Sequence, residues 1–108
     1  MSTPLDQSYG SHGSGPGQFG ASIRGVAVHG RGDEQRIAAC DRINHRVHIF
    51  STATRQLVAT IGSEGKGNGE FVFPVGAAFN EAGDLFVSDM VLGRMQVGKQ
   101  MLPPSDTL

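Results

Sequence analysis

Two glycine clusters, displaced by 52 residues, constrain this chain more than any other feature. Gly10, Gly13, Gly15 and Gly17 form the first, and Gly62, Gly65, Gly67 and Gly69 the second. The match extends past glycine: Gly10-Ser11 returns as Gly62-Ser63, and Gly17-Gln18-Phe19 as Gly69-Glu70-Phe71. Further on, Gly25-Val-Ala-Val28 matches Gly76-Ala-Ala-Phe79, Ile37-Ala-Ala-Cys-Asp41 matches Leu85-Phe-Val-Ser-Asp89, and Arg46-Val-His-Ile49 matches Arg94-Met-Gln-Val97. The offset falls from 52 to 51 to 48 along the unit, so the first copy has one extra residue before Gly25 and three between His29 and Arg36. Connections tolerate such differences. A period of about 50 residues marks a repeat architecture, in which each unit buries its face against the next.

The apolar runs within each unit are short and end at turn residues. Val26 to Val28, Ile37 to Cys40, Val47 to Phe50 and Leu57 to Ile61 are the predicted strands of the first copy. Ala77 to Phe79, Leu85 to Ser88 and Met95 to Val97 are those of the second. Gly, Asn, Asp, Ser and Thr separate them. Glu81-Ala82-Gly83-Asp84 is a predicted turn in which Gly83 supplies a positive φ. No window sustains the apolar period of a helix. Val47 and Ile49 face one side of their strand, His48 and Phe50 the other. Leu85-Phe86-Val87 is apolar on both sides, which requires a neighbour on each face of the sheet. Each copy reads as a four-stranded antiparallel meander, and such sheets stacked radially make an all-β propeller. A sandwich or a small open barrel would use the same strands, but neither calls for a repeat of this length.

Composition removes several classes. Glycine is 16 of 108 residues, against a usual share of about 7%, and half of it lies in the two clusters. No stretch approaches the roughly 18 apolar residues of a membrane span. Met1-Ser-Thr-Pro-Leu5 lacks the pattern of a signal peptide, so a cytoplasmic location without membrane contact is expected. Cys40 has no partner for an internal disulfide, and no cysteine cluster is present for zinc. It is expected as a small buried strand residue. His12, His29, His45 and His48 show no metal-ligand spacing, and His45 and His48, three apart at a strand start, project to opposite faces. No cofactor, metal or catalytic residue is expected.

Along the first copy stand, in order, Gly15-Pro-Gly-Gln-Phe19, Gly25-Val-Ala-Val28, an apolar strand ending in Asp41, and Asn44-His-Arg-Val-His-Ile-Phe50. The second copy adds Phe71-Val-Phe-Pro74-Val-Gly76. This arrangement resembles the NHL repeat over roughly residues 10 to 97. The resemblance implies blades of a six-bladed propeller that acts as a binding platform for proteins or RNA, with a few lyase relatives. It makes residues 10–61 the first repeat and 62–98 a truncated second. Residues 99–108 become a disordered tail, and 1–9 either the end of a preceding blade or a disordered lead. Leu5 to Tyr9 then correspond to Leu57 to Ile61. There are departures: Ser22-Ile23-Arg24 replaces the family's proline in the first copy, and Leu92 and Gly98 stand where Asn44 and Phe50 do. After Gly98, where Pro103-Pro104 follow, the pattern of a fourth strand is absent. Just under two blades are expected, unable to close a ring alone; three copies would supply six. Open sheet edges carry unpaired backbone groups, so the isolated chain is expected to self-associate or to be unstable.

Phe19, Gly25, Asp41, Asn44, Arg46, Phe50, Phe71, Pro74, Gly76, Asp89 and Arg94 are the motif positions, with structural roles. Asp41 and Asn44 are suited to bonding the backbone of a tight turn, and Arg46 is placed to pair with Asp41 and hold the hairpin register. Phe19 and Phe71 are expected as wedges between blades. The glycine clusters precede no helix and lack the Lys-Ser/Thr ending of a phosphate loop, so they are expected to connect blades. Arg31-Gly32-Asp33 belongs to a solvated loop. Charge is uneven. Residues 19–56 carry Arg24, Arg31, Arg36, Arg42, Arg46 and Arg55 against Asp33, Glu34 and Asp41, a net +3. Residues 57–108 carry Lys66, Arg94 and Lys99 against Glu64, Glu70, Glu81, Asp84, Asp89 and Asp106, a net −3. The uneven charge reads first as a mixed solvated surface; opposite charges meeting head to tail between copies is a second reading. The leading expectation for function is a protein-interaction scaffold, part of a larger or oligomeric propeller. The alternative is RNA binding through Arg24, Arg31, Arg36, Arg42 and His45. A fragment of a metal-dependent lyase stands third.

Overall fold

The computed structural model describes Leu5 and residues 7–99. The expected tail, apart from Lys99, and most of the N-terminal lead lie outside the described residues. Among the described residues nine strands form: β1 Ser11–His12, β2 Gln18–Phe19, β3 Ile23–His29, β4 Arg36–Asp41, β5 Arg46–Ser51, β6 Leu57–Ile61, β7 Pro74–Phe79, β8 Leu85–Asp89 and β9 Arg94–Gly98. One 3-10 turn, Gly32–Glu34, lies between β3 and β4. Strands β3-β4-β5-β6 make a four-stranded antiparallel sheet, and β7-β8-β9 a three-stranded one of the same order. The fold is all-β and blade-like, with the second sheet one strand short and no closure into a ring among the described residues. No helix of the described residues is long and apolar enough to cross a membrane.

The strands outrun the apolar segments that announce them. β3 extends from the expected Val26 to Val28 out to Ile23 and His29, and Asp41 pairs with Arg46, as Asp89 does with Arg94. Backbone N–H and C=O groups require partners whatever side chain they carry, so the ladders run on into polar ends. Pro74 opens β7 and is buried, a first-strand position at which a missing N–H is tolerated. Gly83 adopts a φ of 85° in the expected turn, and its N–H donates to the Asn80 carbonyl at 3.1 Å. The glycine clusters contain a short pairing with no apolar signature. β1 and β2 run parallel, with His12 opposite Phe19, and the second unit repeats this as a Glu64–Phe71 bridge.

The two sheets stack with β3 and β4 against β7. Ala38, Cys40, Val47 and Ile49 of the first meet Leu85 and Val87 of the second, and Phe71 is buried among them. Each such side chain of Val, Leu or Phe size contributes about 1.5–3 kcal/mol by leaving water. Gly25 sets the spacing. A Cβ there would stand 2.5 Å from the Val75 carbonyl oxygen and 2.9 Å from Gly76 Cα, so only a residue without Cβ admits this approach of β3 and β7. A second cluster, Phe19, Ala39 and Phe50 with Tyr9 and Leu57 against it, covers the other face of the first sheet. Phe71 is thus a wedge between sheets, as expected. Phe19 holds the same place on a face that no third sheet covers among the described residues. Leu5 and residues 7–9 form no strand, and Tyr9 packs edge-on to Phe50 with ring centroids 5.7 Å apart.

Candidate functional site

The polar groups of each sheet gather around one aspartate. Asp41 accepts from the Gly20 N–H at 3.2 Å to both oxygens, from the Asn44 N–H at 3.2 Å and from Asn44 Nδ2 at 2.9 Å. His48 Nε2 lies 3.1 Å from its Oδ2, and Arg46 Nε 4.0 Å away. Burial pushes the Asp41 carboxyl up, but the donors of Asn44, His48 and Gly20 outweigh it and hold its pKa below the ordinary value. Asp89 accepts N–H bonds from Val72 at 2.7 Å, Phe73 at 3.2 Å, and Val91 and Leu92 at 3.0 Å each. Its pKa is lowered too, against the push of burial, by those four donors. Turn pinning by Asp41 and Asn44, expected from their spacing, is therefore present, and the same aspartates also clamp the segment entering β3 or β7.

His48 is the participant that spacing did not single out. It is fully buried, with its ring 4.5 Å from that of Phe19. Burial lowers its pKa, Asp41 raises it in part, and Arg46 lowers it again, leaving it below the ordinary histidine value. Its Nδ1 has no partner. Its Nε2 stands between Asp41 Oδ2 at 3.1 Å and Arg46 Nε, which donates toward the ring from 3.2 Å: carrying a proton, Nε2 donates to Asp41, and as a lone pair it accepts from Arg46. The legible signal was alternation: His48 shares its strand face with Phe50, which is a core face.

The glycine loops close on themselves. Gly15 N–H donates to Gln18 Oε1 at 3.0 Å and Gly13 N–H to the Phe19 carbonyl at 2.8 Å. Arg46 Nη2 donates to the carbonyls of Ser14, Gly15 and Gln18 at 2.8–3.1 Å. In the second unit Gly67 N–H donates to Glu70 Oε1 at 2.9 Å, and Arg94 Nη2 to the Gly67 carbonyl at 2.7 Å. These loop donors are satisfied within the loop, so its chemistry is that of a connection rather than an anion cradle.

The basic residues of the first unit do not form one patch. Arg42 lies over the Phe73 ring at 5.1 Å. His45 Nδ1 lies 2.6 Å from the Val72 carbonyl, and its Nε2 3.8 Å from Glu64. Both latch the first unit to the second. His45 does so from a φ of 61°, where its repeat counterpart is Gly93 at 66°. Histidine tolerates that region better than most residues. Arg36 donates to the carbonyls of Asp33 and Gln35. Arg24 and Arg31 are exposed, Arg24 near the start of β3 and Arg31 beyond its far end.

Apolar side chains are open as well. On the first sheet, Ile23, Val26 and Val28 are exposed beside a cleft lined by Tyr9, Phe19, Ile37 and Phe50. On the far side of the second sheet, Met95 and Val97 are exposed. The comparison within one chain is direct. Val47 and Ile49 are 0% and 1% exposed where they meet the second sheet, while their counterparts Met95 and Val97 are 68% and 43% exposed. No group of three His, Cys, Asp or Glu side chains among the described residues is arranged to hold a metal ion. Neither the protein-family models nor the curated proteins include a match to this chain.

Proposed function

We propose that this chain is a protein-interaction scaffold: two propeller blades of NHL type whose open faces and free edge receive further β-structure from a partner. One observation carries it. Val47 and Ile49, which the first sheet buries against its neighbour, have the equivalents Met95 and Val97 on the second sheet, which stand in solvent. Contiguous exposed apolar surface of this kind marks an interaction site, and the free edge of β9 offers main-chain hydrogen bonds for strand addition. The polar networks, by contrast, are engaged in holding the sheets and loops.

The test is a selection of displayed random peptides on the immobilised, dilute chain. Recovered peptides are expected to lose binding to Val26→Asp, on the first sheet, or to Met95→Asp, on the second. Recovery of no peptide that depends on either face contradicts the proposal.

A further inference from the structure

Among the described residues the second sheet stops one strand short, and its edge has a definite shape. In the first sheet β5 is paired on both sides, by β4 and β6, while among the described residues its counterpart β9 is paired by β8 alone. Beside β9 lies a groove of about 400 Å³ whose lining includes Gly69, Phe71, Met95, Val97 and Gly98. Two equivalent glycines register the difference. A Cβ on Gly17 would touch both Leu57 of β6 and the Phe50 ring at 3.8 Å, whereas one on Gly69 meets nothing within 4 Å. Gly98 stands where Phe50 does, so the groove is widened by the loss of a ring.

The chain also carries a counterpart of β6 ahead of its first sheet. At the offset of 52, Leu57 to Ile61 of β6 correspond to Leu5 to Tyr9. The geometry after that segment is also repeated. Ile61 packs against the cluster holding Phe71, and Tyr9 against the cluster holding Phe19. The glycine that follows each, Gly62 or Gly10, lies directly against the same phenylalanine ring. The chain therefore enters its first sheet along the path by which β6 leads into the second. Leu5 is 98% exposed, and Gln7 and Ser8 are exposed.

We propose that the partner of the scaffold is a second copy of this chain, whose residues 7–9 add to the open edge of β9 as its fourth strand; this rests on the scaffold function proposed above. The first sheet of the donor copy then covers Met95 and Val97 of the acceptor, as the second sheet covers Val47 and Ile49 within one chain. The register of β5 with β6 pairs Val47 with Ile61, His48 with Thr60 and Ile49 with Ala59. Carried across the repeat, it places Met95 opposite Tyr9, Gln96 opposite Ser8, and Val97 opposite Gln7 of the other copy. The contact is head to tail, so each copy donates once and accepts once.

The experiment mixes donor and acceptor chains that each carry one new cysteine: Ser8→Cys with Gln96→Cys, and Gln7→Cys with Val97→Cys. Opposed residues alternate between closer and wider spacing along an antiparallel pair, so one of the two pairs suits a disulfide. Expected are a covalent dimer from at least one pair, none when Ser14→Cys replaces the donor cysteine, and loss of association on deleting residues 1–8. The Val97 pair carries the test if Gln96→Cys loosens its loop. A full-length chain that stays monomeric and forms no covalent dimer overturns the inference. So does an oligomer indifferent to the deletion. In either case, peptides still recovered on the open faces leave the scaffold in place with a different partner, and failure to recover them removes both proposals.

Discussion

Replacing Gly25 with alanine separates two opposed physical expectations. Gly25 does not lie in the left-handed region, so on conformational grounds alanine should stabilise by about 0.4–1 kcal/mol through the unfolded chain. Its surroundings say the reverse. The new Cβ would meet the Val75 carbonyl oxygen at 2.5 Å and Gly76 Cα at 2.9 Å, where ordinary contact begins at 3.4 Å. Both atoms are backbone of β7, so relief requires β3 and β7 to part by roughly 1 Å, a gap that forfeits about a quarter to a half of the dispersion attraction across it. Overpacking of this kind costs about 1–3 kcal/mol. Gly76→Ala is the internal control, because its Cβ would meet only the Ser88 hydroxyl, which can turn to another rotamer, and a cost below about 1 kcal/mol is expected. Urea unfolding followed by circular dichroism at one fixed protein concentration reads both, since association shifts apparent stability. Gly25→Ala should lower the midpoint well below that of Gly76→Ala without changing the slope. A Gly25→Ala protein as stable as the parent would refute the close-approach account of the sheet interface.

Acid should destabilise the fold in two stages. The His48 pKa is lowered below 6.5 in the folded state, so the stability it contributes is complete above about 6.5 and is lost as pH falls through the folded value. Asp41 and Asp89 are lowered below 3.8, so their contribution is lost as pH falls below about 3.8. Melting temperatures across pH should show both stages, and His48→Gln, the residue present at Gln96, should remove the upper one; an upper stage that persists would contradict the assignment. Asp41→Ala should cost about 3–5 kcal/mol, the usual penalty for stripping one partner from a buried charged network, and a urea midpoint near the parent's would count against the hub. Burial pushes the Cys40 thiol up to about 11, so Ellman's reagent should label it no faster than the chain unfolds, and rapid labelling of folded protein would contradict its place in the core.

Much of the architecture was legible because glycine and aspartate are read through backbone geometry, which is local. The displaced clusters marked two like units, Asp41 and Asn44 marked a tight turn, and Val47 and Ile49 marked a buried face by alternation alone. What was not legible depends on how one unit is set against the other. Arg42 and His45 read as free basic groups because nothing in their spacing reveals that this turn abuts Val72 and Phe73. His48 stayed in the background because a buried histidine becomes intelligible only beside Asp41, seven positions away and on the neighbouring strand. The β1–β2 pairing is too short for any periodicity to register. Tyr9 is a similar case: its contact with Phe50 joins a segment without strand structure to a distant one.

If the face of the second sheet around Met95 and Val97 is an interface between copies, the molar mass of the 108-residue chain, measured by light scattering over a concentration series beside Met95→Asp, decides it. The expected result is a mass above that of one chain that grows with concentration, falling to a folded monomer in the variant. A parent that stays monomeric and folded throughout, or a variant that associates equally well, would contradict it.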